Sequence, residues 1–234
     1  MNEETIQISV RPDVSVTAIR TMPDAQPAQS LFIYAPGAGS NNNDPFGSYL
    51  SQRMVHEGIA LVRFQFPYME AGKRRPDSPA LLEETWNQVI ETLRIPNTKL
   101  IAGGRSMGGR IASHVAAQGT TVDALALFAY PLHPPGNPTK SRDKHLPGIK
   151  APTLFCSGTR DAFATPEELA TAAATVPSAT VLPLEGADHG FSVLKSSGRT
   201  REDVWSEITE FLLSWLETQV LEKGQRHRST LACT

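Results

Sequence analysis

The stretch IAGGRSMGGR, residues 101–110, places one serine between two pairs of glycines. It ends the apolar run KLIAGG (99–104) and leads into the small-residue segment MGGRIASHVAAQG (107–119), so a strand, a tight turn and a helix are predicted in that order. Gly104 to Gly108 read G-x-S-x-G, a pattern typical of a turn that presents a serine hydroxyl at the end of a sheet. Because glycine loses much backbone freedom on folding, four glycines around Ser106 indicate a turn with no room for side chains.

On both sides of this turn, apolar runs alternate with amphipathic segments. Strands are predicted at 5–10, 14–19, 31–36, 59–66, 99–104, 124–130, 152–158 and 180–186. Helices are predicted after Asp44-Pro45, Ser78-Pro79 and Thr165-Pro166, and over about 201–221. This alternation indicates an α/β fold with a mostly parallel sheet that is covered by helices on both faces.

The chain has 234 residues, a formal net charge of −2 and 40% apolar residues. These values predict a single domain, 1–222, and a polar C-terminal tail, 223–234, that lacks helical periodicity. The clustered basic residues at 73–75 and 223–228 are short runs on a slightly acidic chain, which does not favour a nucleic-acid partner.

The cellular setting is predicted from what the N-terminus, the apolar runs and the cysteines look like. The N-terminus opens acidic and has no apolar segment of the kind found in signal peptides. No apolar run approaches the ~18 residues that a membrane span needs. Two cysteines, Cys156 and Cys233, do not make a disulfide framework. A cytoplasmic protein with no membrane partner is therefore predicted, and the sequence leaves its oligomeric state open.

A serine hydroxyl is a weak nucleophile at neutral pH and needs a base, which in turn needs an orienting carboxylate. In this setting the chain order is serine, acid, histidine, each after a strand. Asp161 follows the strand PTLFCSG and His189 follows the strand TVLPLEG, so Ser106, Asp161 and His189 are predicted to form a catalytic triad. Taken singly, Asp161 is equally consistent with a helix cap and His189 with a surface loop. Asp188 is a second candidate for the acid.

Cleavage of a carbonyl compound also requires backbone N–H donors that face the developing oxyanion. Met107, directly after the serine, is predicted to supply one. The loop APGAGSNNNDPF is predicted to supply the other from Ala38 or Gly39, and small residues at Gly37 and Gly39 would let substrate approach the backbone. The loop taken alone is also consistent with a plain Gly/Asn connection.

Arg105, next to the serine, is a candidate contact for a substrate carboxylate. The chain has no H-E-x-x-H, C-x-x-C or acidic calcium-loop pattern, so no metal and no other cofactor is predicted. The predicted partner is a small-molecule ester or thioester.

Four stretches resemble the α/β-hydrolase superfamily, and more narrowly its dienelactone-hydrolase-like branch, which includes testis-expressed hydrolase-like proteins and a regulatory subunit of the NSL histone acetyltransferase complex. They are PGAGSNNNDPF, RFQFPYMEAGKRRPD, GGRSMGGRIA and GTRDAF…ADHGF, which span about 35 to 191. The G-x-S-x-G turn, here called the elbow, and the predicted triad positions carry the resemblance to the superfamily. The stretch FPYMEAGKRRPD carries the resemblance to the narrower branch.

The resemblance implies the α/β-hydrolase fold, with a mostly parallel sheet of about eight strands. Such enzymes often insert a lid between the strands that here end at Tyr130 and begin at Pro152, but about twenty proline-rich residues allow only a short flap. An open, shallow site with little or no lid is therefore expected. Two departures bear on the site: Pro36 replaces the usual histidine before the oxyanion-loop glycine, and dienelactone hydrolase itself uses a cysteine nucleophile where this chain has Ser106.

Two functions follow. The first is a serine hydrolase that cleaves a carboxylic ester or thioester, with His189 as general base and acid and Asp161 as the orienting carboxylate. The second is a non-catalytic binding or scaffold protein that retains the fold, which the regulatory relatives suggest. A complete triad favours the enzyme, because a strained turn without a use should relax.

Overall fold

The computed structural model describes residues 2–24 and 28–221, and within these ranges an eight-stranded sheet forms the centre of the molecule. Its spatial order is β1-β2-β4-β3-β5-β6-β7-β8. β1 and β2 form an antiparallel hairpin, β2 pairs antiparallel with β4, and all remaining pairs are parallel. The strands are β1 (Asn2–Arg11), β2 (Val14–Met22), β3 (Ser30–Ala35), β4 (Ile59–Phe64), β5 (Lys99–Arg105), β6 (Ala124–Phe128), β7 (Thr153–Gly158) and β8 (Ala179–Leu184).

The mostly parallel sheet of eight strands is therefore confirmed. Six α-helices lie within the described residues, five between strands and the last after β8: α1 (Pro45–His56), α2 (Pro67–Glu70), α3 (Pro79–Leu93), α4 (Met107–Ala117), α5 (Pro166–Ala173) and α6 (Arg201–Leu216). The predicted helix starts are correct because side chains cap them: Asp44 accepts the N–H of Gly47, and Thr165 forms a capping box with Glu168.

Two details differ from the sequence prediction. Helix α2 was not predicted, since four residues give no periodicity to read. The last helix ends at Leu216, and the chain continues as a wider π-helical turn to Leu221. The predicted tail, 223–234, lies outside the described residues.

Each face of the sheet has its own apolar core, as alternating side chains of a strand require. Helices α3, α4 and α5 cover one face, with Trp86 and Ile111 fully buried there. Helices α1 and α6 cover the other, with Phe46 and Ile208 at its centre. None of the described helices is long and apolar enough to cross a lipid bilayer.

The connection between β6 and β7 folds down onto the molecule. Its one regular element is a short 3-10 turn, Leu146–Gly148, and Leu132 and Ile149 are buried in the core beside α4. The Tyr130 hydroxyl donates to the Arg142 carbonyl oxygen at 2.9 Å, which holds the connection against the end of β6. The predicted short flap is therefore present, without a lid helix.

Candidate active site

Ser106 lies in the turn between β5 and α4 with a φ of 50°, a conformation that residues other than glycine rarely adopt. Its N–H donates to the Phe128 carbonyl oxygen at 2.8 Å, which anchors the turn to β6. The glycines around it are sterically required. A methyl group at Gly103, Gly104, Gly108 or Gly109 would lie only 2.1–2.4 Å from a backbone oxygen of a neighbouring segment.

The structure brings the three predicted triad residues together in one hydrogen-bonded chain. Ser106 Oγ lies 2.9 Å from His189 Nε2, and His189 Nδ1 lies 2.8 Å from Asp161 Oδ2 and 3.0 Å from Oδ1. The His189 side chain is 24% exposed and the Asp161 side chain is fully buried. The chain of contacts therefore runs from an accessible hydroxyl to a carboxylate shielded from water.

Asp161 is fixed by its own loop as well as by the histidine. Its Oδ1 accepts the N–H of Phe163 at 2.8 Å, and its Oδ2 lies 3.4 Å from Ser157 Oγ. The Phe163 ring stacks on the imidazole of His189, with the ring centroids 4.1 Å apart and an interplanar angle of 29°. Imidazole is thus held both by a hydrogen bond in its plane and by an aromatic ring against its face.

Asp188, the second candidate for the acid, points into its own loop. Its Oδ1 accepts the N–H groups of Gly190 and Ser192, both at 2.8 Å, and shapes the turn that carries His189. Among the other described histidines, His133 contacts Glu168, while His114 contacts Glu83. Asp188, His133 and His114 are therefore engaged in contacts of their own, and His189 is the histidine that bonds to Ser106 among the described residues.

The loop after β3 runs beside the serine. A Cβ at Gly37 would lie 3.5 Å from the Ser106 Cβ, an ordinary van der Waals distance, so this part of the loop lies directly against the serine. The N–H of Gly39 donates to the Tyr68 hydroxyl at 2.9 Å and is therefore occupied. The N–H groups of Ala38 and Met107 make no hydrogen bond with other described residues.

Tyr68 has no counterpart among the residues predicted from sequence. It lies in α2, its side chain is buried, and its own N–H donates to Asp77 Oδ2 at 2.8 Å. Burial raises the pKa of the Tyr68 hydroxyl, so it remains protonated at neutral pH while it accepts the Gly39 N–H. In the sequence, Tyr68 belongs to the FPYM stretch, which indicates a family but no role for the tyrosine.

Comparisons with known proteins identify the family and the fold of this chain. A sequence model of the family described as "Alpha/beta hydrolase domain" matches residues 28–217. An alpha-beta serine hydrolase homologue from Coxiella burnetii is 20% identical and covers 91% of this chain and 98% of its own, with a TM-score of 0.72. Dienelactone hydrolase from Anabaena variabilis is 19% identical, with coverages of 93% and 98% and a TM-score of 0.72.

A serine hydrolase without a lid from Xanthomonas campestris is 16% identical, with coverages of 92% and 95% and a TM-score of 0.70. At such identities the three solved structures share the fold with this chain. The narrower resemblance to testis-expressed and NSL-complex proteins stays a prediction.

Proposed function

We propose, because this chain belongs to the α/β-hydrolase domain family, that it is a serine hydrolase that cleaves a carboxylic ester or thioester of a small molecule. The observation that carries the proposal is the unbroken hydrogen-bonded chain from Ser106 through His189 to Asp161. The positive φ of Ser106 supports it further, since such strain persists where a function maintains it.

In the first half of the reaction, Ser106 Oγ attacks the substrate carbonyl carbon while His189 Nε2 takes the hydroxyl proton. The buried Asp161 carboxylate accepts a hydrogen bond from the Nδ1–H of His189 and stabilises the imidazolium that forms, without taking the proton. The N–H groups of Met107 and Ala38 donate to the oxyanion, because they are the donors beside the serine that make no hydrogen bond with other described residues. The tetrahedral intermediate then expels the alcohol or thiol, which takes the proton from His189.

In the second half, a water molecule replaces the leaving group. His189 Nε2 takes a proton from this water as it attacks the acyl carbon on Ser106. The second tetrahedral intermediate releases the carboxylic acid, and the serine recovers its proton from His189. The proton of Ser106 leaves with the alcohol or thiol and is replaced by one from water, so the enzyme returns to its starting state and each cycle consumes one water molecule.

The proposal is tested by labelling with a fluorophosphonate and locating the adduct by peptide mass spectrometry. We expect one adduct per chain on Ser106, and none in Ser106→Ala or His189→Ala, because the probe reacts with a serine that a base activates. Asp161→Asn should lower the labelling rate by about a thousandfold or more, because the imidazole would present the wrong tautomer.

The chain offers a matched control in its second serine–histidine pair. Ser113 Oγ lies 2.7 Å from His145 Nε2, but Ser113 is buried within α4, and no described carboxylate hydrogen-bonds to His145. Ser113→Ala should therefore label as the wild type does. A folded wild-type protein that gives no adduct, under conditions that label a known esterase, would overturn the proposal and leave the binding or scaffold function in its place.

A further inference from the structure

Arg105 is the side chain that precedes the nucleophile, and it lies close to it. Its Nη2 is 3.7 Å from the position that a Cβ of Gly37 would occupy, and the Ser106 Cβ is 3.5 Å from the same point. The guanidinium and the serine therefore border one space, which Gly37 leaves open. Arg105 is partly exposed, so the space is reachable from solvent.

This guanidinium has no counter-ion among the residues that the structure describes. Its Nε is buried without a hydrogen-bond partner, and no carboxylate of the described residues lies within ion-pair distance of it. Buried charges are normally paired, because removal from water is unfavourable. Arg63 follows the rule: it bonds to Glu3 at 2.6 Å and to Ser48 at 2.7 Å.

The acidic side chain of the loop after β3 is Asp44, and its oxygens already accept hydrogen bonds from other groups. Asp44 accepts the Tyr34 hydroxyl at 2.8 Å, the Gly47 N–H at 3.0 Å and the Ser40 hydroxyl at 3.1 Å. Arg105 lies close enough to Tyr34 for its charge to act on the pKa of that hydroxyl, which burial raises. Arg105 is thus near the Tyr34–Asp44 pair, but no hydrogen bond or ion pair joins it to either of these described residues.

Three more positive charges lie on the segment that follows α2, the helix whose Tyr68 bonds to the loop after β3. Lys73, Arg74 and Arg75 are exposed and follow α2, and the Lys73 N–H donates to the carbonyl oxygen of Tyr68 at 2.8 Å. None of the three forms an ion pair with a described residue. Clustered charges of one sign beside a cleft raise the local concentration of oppositely charged ligands.

We infer that the substrate is an anionic ester or thioester: a half-ester of a short dicarboxylic acid, whose free carboxylate binds Arg105 while its ester carbonyl meets Ser106. This inference rests on the proposed function. A guanidinium matches a carboxylate with two parallel hydrogen bonds. In succinate the two carboxyl carbons lie about 4 Å apart, given ordinary carbon–carbon bond lengths, which suits a cation that borders the nucleophile.

The test compares monoethyl succinate with ethyl isocaproate, in which an isopropyl group replaces the carboxylate at nearly the same size. We expect kcat/KM of the wild type to favour the anionic ester by about tenfold or more. Arg105→Gln should lower this ratio by about 10- to 100-fold, and Arg105→Lys should recover part of it. Arg53→Gln, which removes an exposed guanidinium at the far end of α1, should leave the ratio as in the wild type.

Fluorophosphonate labelling of the same preparations distinguishes a failure of the inference about Arg105 from a failure of the hydrolase proposal. If Ser106 is labelled and both esters are cleaved, but the ratio is the same in wild type and Arg105→Gln, the inference about Arg105 is wrong and the hydrolase proposal stands. If Arg105→Gln loses activity on both esters equally, the side chain has a structural role only, and the inference is again wrong. If neither labelling nor turnover occurs, the hydrolase proposal itself fails.

Discussion

Two side chains outside the Ser-Asp-His set, Tyr68 and Phe163, hold the groups that would do the chemistry. Tyr68 fixes the loop that carries the Ala38 N–H, because its hydroxyl accepts the N–H of the next residue, Gly39. Phe163 fixes both ends of the His189–Asp161 pair, since its ring stacks on the imidazole and its N–H donates to the carboxylate. Preorganised donors and bases matter most where charge develops in a transition state.

We expect Tyr68→Phe to lower kcat for ester hydrolysis by about fivefold to tenfold with little change in KM, because the Gly39 N–H loses its acceptor within the protein and the loop becomes less well fixed. Steady-state kinetics on a neutral ester will measure this. The matched control is Tyr49→Phe. This variant removes a hydroxyl that bonds to no described residue, and it keeps the ring that packs on Trp205. Equal kcat values for Tyr68→Phe and wild type would show that the hydrogen bond does not position the loop.

The proximity of Ser106, Asp161 and His189 could be predicted from sequence because each residue comes soon after an apolar strand, and parallel strands end at one edge of the sheet. Tyr68 and Phe163 could not, because their contacts join segments far apart in the chain: Tyr68 and Gly39 are 29 residues apart. For the same reason the sequence could not decide between the N–H groups of Ala38 and Gly39, since the position of Tyr68 determines which of them is already bonded. Likewise, the lack of a described ion-pair partner for Arg105 depends on which side chains the fold brings near it.

At the level of elements, β5 and α4 approach their neighbours so closely that backbone packs on backbone. A Cβ at Gly103 would lie 2.1 Å from the Ala126 carbonyl oxygen of β6, and the central strands cannot separate without losing their ladder. The sequence indicated crowding at the elbow from the glycines alone. Which neighbour each glycine touches required the sheet order.

Gly103→Ala should therefore lower the free energy of unfolding by about 3 kcal/mol or more, because the overlap is with backbone and no rotamer change relieves it. Urea unfolding followed by circular dichroism will measure the loss. At Gly190, by contrast, a Cβ would meet nothing closer than 3.4 Å, so Gly190→Ala is the control and should cost much less. Similar unfolding midpoints for the two variants would mean that β5 and β6 can move apart at little cost.

For the molecule as a whole, a partly buried pair of histidines links stability to pH. The rings of His114 and His145 have centroids 4.0 Å apart and are tilted by 47° to each other. Burial, together with the nearby His114 and Arg110, lowers the pKa of His145 to about 4, and burial also lowers the pKa of His114. The acidic groups that act on His145 in the opposite direction are Asp143 and Glu83.

Because the unfolded chain binds protons at these histidines near pH 6.5 and the folded chain does not, stability should be complete above about pH 6.5 and fall by about 1 kcal/mol per pH unit as the pH drops toward 4. Urea unfolding at several pH values will give the slope. His145→Gln should reduce it. His56→Gln, at a side chain that is 82% exposed, should not. Parallel slopes for wild type and His145→Gln would exclude this linkage.

The hydrogen bond between Ser106 and His189 joins residues 83 positions apart, and the one between His189 and Asp161 joins residues 28 apart. Pairing of such distant segments comes late in folding, because loop closure must precede any gain from the contacts. During synthesis the serine leaves the ribosome well before the aspartate and the histidine. Under the proposed function, a nascent chain would therefore carry a serine without its base, and Ser106 would become a nucleophile only after the segments that follow β7 and β8 have folded.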